Sequence, residues 1–385
     1  MRESAAERHE RLLELVRDRG SARVSDLAAL LGVSPVTARR DVELLAGEGR
    51  LDRVHGSVSW PGRRPGAGPV TGAAAGGGQG PVLGLLAPSS TYYFSEVIRG
   101  AHEAAARAGS RLILRISDYR PEEDAARTEG LLAAGAEGLL IAPGWRGPED
   151  PAEHGAWITE LPVPAVLLER RAAPGSALDG MDRVASDHRH GALLAVRHLV
   201  ELGHGTPLLV ARSDSPTALA VRSGYADALD ALGLRAPRAV IDSVPAERQP
   251  EEFEAAVRAL REAVGSGTAS AALVHNDVDA IQMVQRLADL GVRVPEDLAL
   301  IAYDDEVAAL ADIPLTAVAP PKREVGREAT RLLVERLTGG HGADEPRRHL
   351  SLLPRLRVRD SCGARGTGGG SSARGSRDQV DRNSF

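Results

Sequence analysis

Two adjacent arginines, Arg39 and Arg40, follow a residue pair that starts helices well. Ser34 is a favoured N-cap, and Pro35 suits the first helical position because its missing N–H would have no helical partner there. Both arginines then fall within the first two turns of the predicted helix. An arginine can donate two hydrogen bonds to guanine in the major groove, which discriminates between bases by about 1–3 kcal/mol. The spacing therefore indicates a helix that reads DNA.

Other residues near this helix could contact the same duplex. Ser34 and Thr37 carry hydroxyls that bond phosphates or base edges, and Val36 lies on the outward face with Arg40. Arg53 and His55 follow in an alternating segment that predicts a small hairpin, a wing against the adjacent DNA backbone. The alternative is a solvated charged face, because residues 1–60 contain ten arginines and ten acidic residues.

Three short helices are expected to position these side chains. One spans residues 6–19. A second is capped at Ser25 and ended by Gly32, and the third carries the arginines. The apolar residues expected to face inward are Leu12, Leu13, Leu15, Val16, Leu27, Leu30, Leu31, Ala38, Val42 and Leu45. Two helices joined by a tight glycine turn form a helix-turn-helix pattern.

Other chemistries find little support in the residue spacing. Four histidines at 188, 190, 198 and 204 include no i, i+4 pair, so we expect no metal site. The glycine-rich run at 76–80 is not flanked by a strand and a helix, so it does not predict a phosphate loop. No G-x-S-x-G motif and no cysteine–histidine pair with a supporting acid occurs. We therefore expect neither an enzyme nor a bound cofactor.

Composition predicts four segments along the chain. Residues 61–80 are rich in Gly, Pro and Ala and indicate a flexible linker with a root-mean-square reach of about 25 Å. Residues 363–385 are rich in Gly, Ser and Arg and indicate a disordered tail. The expected domains are therefore a DNA-binding unit over 1–60 and a larger unit over 81–362.

Short apolar runs alternate with amphipathic helical patterns in the larger unit. This alternation predicts an α/β fold with parallel sheets and flanking helices, and a break near residues 172–178 favours two sheets, or lobes. The predicted strands are Val82–Ala87, Leu112–Leu114, Gly138–Ala142, Ala165–Leu168, Leu208–Ala211, Val240–Ile241, Ala271–Val274 and Leu298–Ala302. Ligands of such folds lie at the carboxyl ends of the strands.

Charge and cysteine content narrow the class of protein. The net charge is −6, so DNA contact must come from a local patch. Cys362 is the only cysteine, which fits a reducing compartment. The first residues are charged and contain no apolar signal region. We therefore expect a cytoplasmic protein that does not associate with a membrane.

Residues 8–58 resemble the winged helix-turn-helix of the DeoR repressor family. The segment is VSDLAALLGVSPVTARRDVELLAGEGRLDRVHG. Its matching positions are Val33-Ser34, Thr37, Arg39-Arg40-Asp41, Gly49, Arg53 and His55-Gly56. The resemblance implies that the chain binds a double-stranded DNA operator.

Residues 82–360 are similar to the ligand-binding part of LacI/GalR repressors, which share the two-lobed periplasmic-binding-protein fold. The most specific segments are VASDHRHGALLAVRHLVELGH and HNDVDAIQMVQRLADLGVRVPEDLALIAYDDE. The resemblance implies a homodimer and a sugar-like effector between the lobes. It places ligand contacts at Tyr93, Phe94, Glu169, Arg170, Asp187, Arg222, Asp277, Tyr303 and Asp304.

Together these observations predict a sequence-specific transcriptional regulator, a repressor controlled by a small metabolite. The alternative is a sugar-binding module or a sugar-processing enzyme in which the helical head is incidental. An enzyme would need an acid/base pair in the cleft and would show turnover of candidate sugars.

Overall fold

The computed structural model describes most of the chain and divides it into two compact units, Met1–Gly76 (the head) and Gly77–Phe385 (the body). The described residues are 8–9, 11–13, 15–16, 21–31, 33, 37–38, 40–42, 45, 50–54, 57–59, 80–147, 150–235, 240–339 and 345–364. The predicted linker, apart from Gly80, and the predicted tail beyond residue 364 lie outside them. The domain boundaries at residues 60, 80 and 362 stay predictions.

The head contains helical segments and a small antiparallel sheet. Residues 8–9, 11–13, 15–16, 37–38, 40–42 and 45 are also helical. The sheet has the order β1-β3-β2, and the pairing of β2 with β3 confirms the predicted hairpin. The elements with defined bounds are β1 (Ser21–Arg23), α1 (Val24–Leu31), β2 (Asp52–Val54) and β3 (Ser57–Ser59).

Apolar side chains from the helical segments form the core of the head. The buried members are Leu12, Leu13, Val16, Leu27, Leu31, Val42, Leu45 and Leu51. Two details of the sequence interpretation are wrong. Leu30 is 42% exposed rather than inward. Ser25 lies inside α1, which begins at Val24 directly after β1, so it does not cap this helix.

The first lobe of the body is a six-stranded parallel sheet covered by helices. Its strand order is β14-β8-β7-β6-β4-β5. The strands are β4 (Val82–Ala87), β5 (Arg111–Ile116), β6 (Gly138–Ile141), β7 (Ala165–Leu168), β8 (Asp182–Ser186) and β14 (His349–Leu352). The helices are α2 (Tyr93–Arg107), α3 (Pro121–Ala133), α4 (Asp150–His154) and α9 (Lys322–Thr338). Helices α2 and α9 share one apolar core with the sheet, and α3 packs on its other face.

The second lobe repeats this arrangement. Its order is β10-β9-β11-β12-β13-β15, in which only the edge strand β15 is antiparallel. The strands are β9 (Leu208–Arg212), β10 (Ile241–Ser243), β11 (Ala271–His275), β12 (Ala299–Tyr303), β13 (Thr316–Ala319) and β15 (Arg355–Arg357). The helices are α5 (His188–Glu201), α6 (Pro216–Ala231), α7 (Pro250–Gly265) and α8 (Asp277–Asp289). Helices α7 and α8 cover one face, and α5 and α6 cover the other.

The chain crosses between the lobes three times, after β8, after β13 and after β14. The two-sheet α/β prediction is confirmed, and every predicted strand overlaps an observed one. The break lies after Ser186 rather than near residues 172–178, because β8 still belongs to the first sheet. Strand β8 lacks an apolar run. Its Asp182 is only 1% exposed, and the strand tolerates this buried carboxylate because Arg336 of α9 pairs with it at 2.8 Å.

Two glycines allow α2 and α9 to pack backbone against backbone. A Cβ at Gly100 would overlap the carbonyl oxygen of Arg323, and a Cβ at Gly326 would overlap that of Val97. Neither obstructing atom belongs to a side chain that could rotate away. The first lobe therefore depends on both positions lacking a side chain.

We expect Gly100→Ala to lower the free energy of unfolding by about 1–3 kcal/mol, because the helices must separate to admit the methyl group. Gly130→Ala in α3 is the matched control, since only one atom lies within 4 Å of its Cβ position. The control should stabilise by about 0.5–1 kcal/mol through helix propensity. Urea unfolding of both variants is the measurement, and equal effects would contradict the packing argument.

Candidate functional site

A cavity of about 280 Å³ lies between the two lobes of the body. Its wall is built from the segments that follow the parallel strands, where the sheets of both lobes present their carboxyl ends. This is the position at which α/β folds bind ligands. Because both lobes contribute, a bound molecule would contact both sheets at once.

Aromatic side chains form the first-lobe part of the wall. Tyr92, Tyr93 and Phe94 lie at the start of α2, and Tyr119 follows β5. The rings of Tyr93 and Phe94 meet edge to face, with centroids 5.6 Å apart. The Tyr92 hydroxyl donates across the cleft to Asp277 of the second lobe. Burial raises the pKa of Tyr92 far above its ordinary value, so it stays a neutral donor.

Glu169 is a positioning residue in this wall. Its carboxylate accepts from the Tyr93 hydroxyl at 2.8 Å and from the backbone N–H and hydroxyl of Ser186 at 3.0 and 2.8 Å. His188 lies 3.7 Å away. Burial alone would raise the pKa of Glu169, but these partners hold the pKa below its ordinary value. The carboxylate stays ionised and fixes the Tyr93 ring.

Three buried residues of the wall each keep one polar atom without a hydrogen-bond partner among the described residues. These atoms are Arg170 Nη2, His275 Nδ1 and Asp304 Oδ1. Arg170 is otherwise held by the carbonyls of Pro143 and Glu169, at 2.9 and 3.0 Å. Buried polar atoms are rarely left unpaired in native proteins. A polar ligand that accepts from Arg170 and donates to Asp304 would supply the missing partners.

Burial sets the protonation states of Asp304 and His275, the two second-lobe residues of the wall that keep an unpaired atom. It raises the pKa of Asp304 to about 6 and lowers the pKa of His275 to about 3. The imidazole is therefore neutral near neutral pH, whereas Asp304 titrates just below it. A ligand hydroxyl that donates to Asp304 would favour its ionised form.

Backbone strain is concentrated in the same wall. Tyr92, Tyr119, Glu169 and Asp304 all have positive φ, at 51°, 56°, 50° and 76°. All four line the cavity, and Asp118 is the one other described non-glycine residue with positive φ. Each such residue costs about 1–2 kcal/mol relative to ordinary backbone. Strain retained at one place in this way is typical of a functional site.

The structure separates the sequence-predicted ligand residues into two groups. Tyr93, Phe94, Glu169, Arg170 and Asp304 line the cavity. The other four lie outside its wall, and each has a structural partner. Asp187 caps α5 by accepting from the backbone N–H of His190, and Tyr303 contacts His188.

The remaining two are held away from the cavity by strong polar contacts. Arg222 donates to Asp242 at 2.6 Å and to the carbonyl of Ala211 at 2.9 Å. Asp277 accepts from Tyr92 and from the backbone N–H groups of residues 306–308. Its acceptor capacity is therefore used within the protein.

Several wall residues were missed by the sequence interpretation. They are Tyr92, Tyr119, Arg146, Arg212, Asp214, Arg248, His275 and Asn276. Most of them end or closely follow a predicted strand, so the positions after each apolar run were the available signal. The family pattern drew attention to Arg222 instead, although Arg212 at the end of β9 supplies the cavity arginine.

The structure describes only some of the head residues that the sequence predicts to contact DNA. Thr37 and Arg40 are helical, and Arg40 is exposed. The backbone of Arg53 lies in β2. Ser34, Val36, Arg39 and His55 lie outside the described residues. These DNA contacts remain predictions.

Asp41 directly follows Arg40 and anchors the helical segment that carries this arginine to the core of the head. It is 6% exposed and accepts from Arg8 at 2.6 Å, while His9 lies at 3.0 Å. Burial opposes ionisation, but Arg8 and His9 hold the pKa of Asp41 below its ordinary value. The ion pair ties the first helical segment to the one that carries Arg40.

The described residues contain no group of three or more His, Cys, Asp or Glu side chains arranged to hold a metal ion. Among them there is also no helix with the length and apolar character needed to span a bilayer.

Comparisons with known proteins agree with this architecture. Residues 8–63 match the model of the DeoR-like helix-turn-helix domain, and residues 196–362 match that of the periplasmic binding protein-like domain. The transcriptional repressor CytR of Escherichia coli K12 is 27% identical over 252 residues, which cover 65% of this chain and 70% of CytR. The repressor PurR of Vibrio atlanticus is 29% identical over 262 residues, which cover 66% of this chain and 74% of PurR.

A solved structure extends the comparison to the fold. The crystal structure of the E. coli repressor AscG is 27% identical and superposes with a TM-score of 0.58, covering 73% of this chain and 98% of AscG. A ligand cavity and a helix-turn-helix head on one chain define a DNA-binding transcription regulator, and the relatives are repressors rather than enzymes. Residues 8–63 are thus similar to a DeoR-like helix-turn-helix domain and residues 196–362 to a periplasmic-binding-protein-like domain, and the body is similar to repressors such as CytR and AscG.

We expect Asp304→Asn to change the pH dependence of stability. Because the folded pKa of about 6 exceeds the ordinary 3.8, the folded state binds the proton more tightly, and wild-type stability falls as pH rises through this window. The asparagine amide of the variant does not ionise, so the variant does not lose this stability as pH rises. The variant should be more stable than wild type near pH 7, by on the order of 1–3 kcal/mol, and equal near pH 4.

Urea unfolding at both pH values is the measurement, and exposed Asp312→Asn is the control. A stability difference between variant and wild type that does not change with pH would contradict the assignment of the raised pKa to Asp304.

Proposed function

We propose that the chain is a cytoplasmic homodimeric repressor whose operator affinity is controlled by a small polar metabolite held between the lobes. The single observation that carries the proposal is the set of unpaired polar atoms on both sides of the cavity. Arg170 belongs to the first lobe, whereas His275 and Asp304 belong to the second. A ligand that satisfies both sides stabilises the closed arrangement of the lobes over an open one.

The three crossings supply the hinge for that change. Ser186 and His188 flank the first crossing and are part of the Glu169 network in the cavity wall. A ligand that contacts this wall therefore acts directly at a hinge segment. In a dimer, altered lobe closure would change the spacing of the two heads and with it the fit to paired half-sites.

The chemistry of the cavity favours a sugar or sugar derivative. Aromatic rings offer an apolar face to the C–H surface of a sugar ring, and carboxylate, guanidinium and amide groups pair with its hydroxyls. Tyr93, Phe94 and Tyr119 provide the rings, and Asp304 and Asn276 provide polar partners. This combination is the reason we propose a polyhydroxylated effector.

The operator can be found by selecting bound fragments from the source genome with the full-length protein. A titration of the selected operator at fixed salt should then show a change of affinity of about tenfold or more when the effector from a metabolite panel is added. If no member of a broad panel of sugars and sugar derivatives changes operator affinity, the proposed control by a cleft ligand is overturned.

We expect Arg40→Ala to weaken operator binding by about 1–3 kcal/mol and to relax selectivity at one base pair, because a bidentate base contact is lost. Binding assays against operators mutated singly at each position are the measurement. Arg99→Ala, an exposed arginine of α2 in the body, is the control and should leave binding unchanged. Uniform weakening across all operators would show that Arg40 contacts phosphate rather than a base.

A further inference from the structure

Three arginines of the cavity wall surround a single carboxylate. Asp214 accepts from Arg212 Nε at 2.9 Å and Nη2 at 3.1 Å, and from Arg248 Nη1 at 2.9 Å. Arg146 Nη1 lies 4.0 Å from the same carboxylate. We call Arg146, Arg212, Arg248 and Asp214 the arginine cluster. Its members carry three positive charges and one negative charge.

Apart from Asp214, the acids nearest to the cluster along the wall are occupied by other groups. Asp150 lies beside Arg146, but its carboxylate accepts from the backbone N–H groups of Arg146 and Gly147. Glu169 is occupied by Tyr93 and Ser186. The four side chains of the cluster therefore carry a surplus of two positive charges at the cavity wall.

Asp279 is a further acid close enough to interact with Arg212, and it does not line the cavity. It is 2% exposed, and burial raises its pKa to about 6. It therefore moderates the positive field at Arg212, whose Nε and Nη2 already donate to Asp214. The more exposed guanidinium groups of Arg146 and Arg248 remain available at the cavity surface. Asp214 itself stays ionised, because Arg212 and Arg248 hold its pKa below the ordinary value despite its burial.

The cluster draws on both lobes. Arg146 follows β6 of the first lobe, whereas Arg212 ends β9 and Arg248 precedes α7 in the second lobe. A salt bridge that only joined the lobes would need one arginine and one carboxylate. The additional guanidinium groups are partly exposed, with side chains 35% exposed at Arg146 and 53% at Arg248. They are therefore accessible to an incoming ligand.

We propose that the cleft ligand carries a phosphate monoester, which the guanidinium groups of Arg146, Arg212 and Arg248 hold between the lobes. This inference rests on the proposed function of the cleft and specifies its ligand. A phosphate monoester carries close to two negative charges near neutral pH, which matches the surplus of the cluster, whereas a carboxylate would leave one positive charge unpaired. Planar guanidinium groups bind phosphate oxygens in pairs of parallel hydrogen bonds.

The test uses inorganic phosphate, because its binding does not depend on the body of the ligand. The full-length protein is titrated with phosphate and separately with acetate at constant ionic strength, and binding is followed by thermal unfolding and by the phosphorus NMR signal. We expect phosphate to raise the Tm and to bind at least about tenfold more tightly than acetate. Arg146→Gln and Arg248→Gln should each weaken phosphate binding by about tenfold.

Arg222→Gln is the matched control, because Arg222 also pairs with a single aspartate but lies outside the cavity wall. It should leave phosphate binding within about twofold of wild type. The unliganded Tm of each variant shows that it is folded. Absence of phosphate binding by wild type, equal binding of acetate, or unchanged phosphate binding in both cluster variants would overturn the proposal.

The outcomes separate this inference from the proposed regulation. If phosphate binds at the cluster but no metabolite changes operator affinity, the phosphate site stands and the regulatory proposal fails. If neutral sugars change operator affinity and phosphate does not bind, the regulation stands and the phosphate assignment is overturned. Tighter binding of acetate than of phosphate would assign the cluster to a carboxylate and would likewise overturn it.

Discussion

The cost of leaving polar groups unpaired in a low-dielectric cavity is the constraint on which the body of this protein depends. An unsatisfied buried donor or acceptor costs about 1–3 kcal/mol, and a charged one costs more. Arg170, His275 and Asp304 each leave one atom in that condition. Together with the strained backbone around them, these groups raise the free energy of the folded body, and under the proposed function a ligand that pairs with them would lower it. Differential binding of this kind is what allows a small molecule to shift the equilibrium between lobe arrangements.

Carboxylates in and around the cleft have different tasks, and their environments explain the division. Glu169 and Asp277 accept several hydrogen bonds from the protein itself, so they orient Tyr93 and Tyr92. Asp214 is occupied by arginines. Asp304 differs from them, because it keeps one buried oxygen without a partner among the described residues and has a raised pKa. Residue type alone would treat all four as equivalent acceptors.

Much of the fold was predictable because apolar periodicity directly reports which faces are buried. The runs that became β4, β6, β9, β11 and β12 are continuous and apolar, as expected for strands covered on both faces. Strand β8 was not predicted, because its burial depends on an ion pair between Asp182 and Arg336, which are 154 residues apart. Strands β14 and β15 lie at sheet edges and alternate between half-buried and exposed residues, so their local signal is weak.

The sequence by itself determined the two-part architecture, the helix-turn-helix pattern and the alternating α/β body, because composition, apolar spacing and short motifs are local features of the chain. Only the tertiary structure decided which polar side chains face the cleft. It placed Arg212 in the wall and paired Arg222 with Asp242, although ten residues separate the two arginines. It also gathered Arg146 and Arg248 around Asp214. Such groupings depend on how two sheets are joined by three crossings, and no local pattern encodes the distances that result.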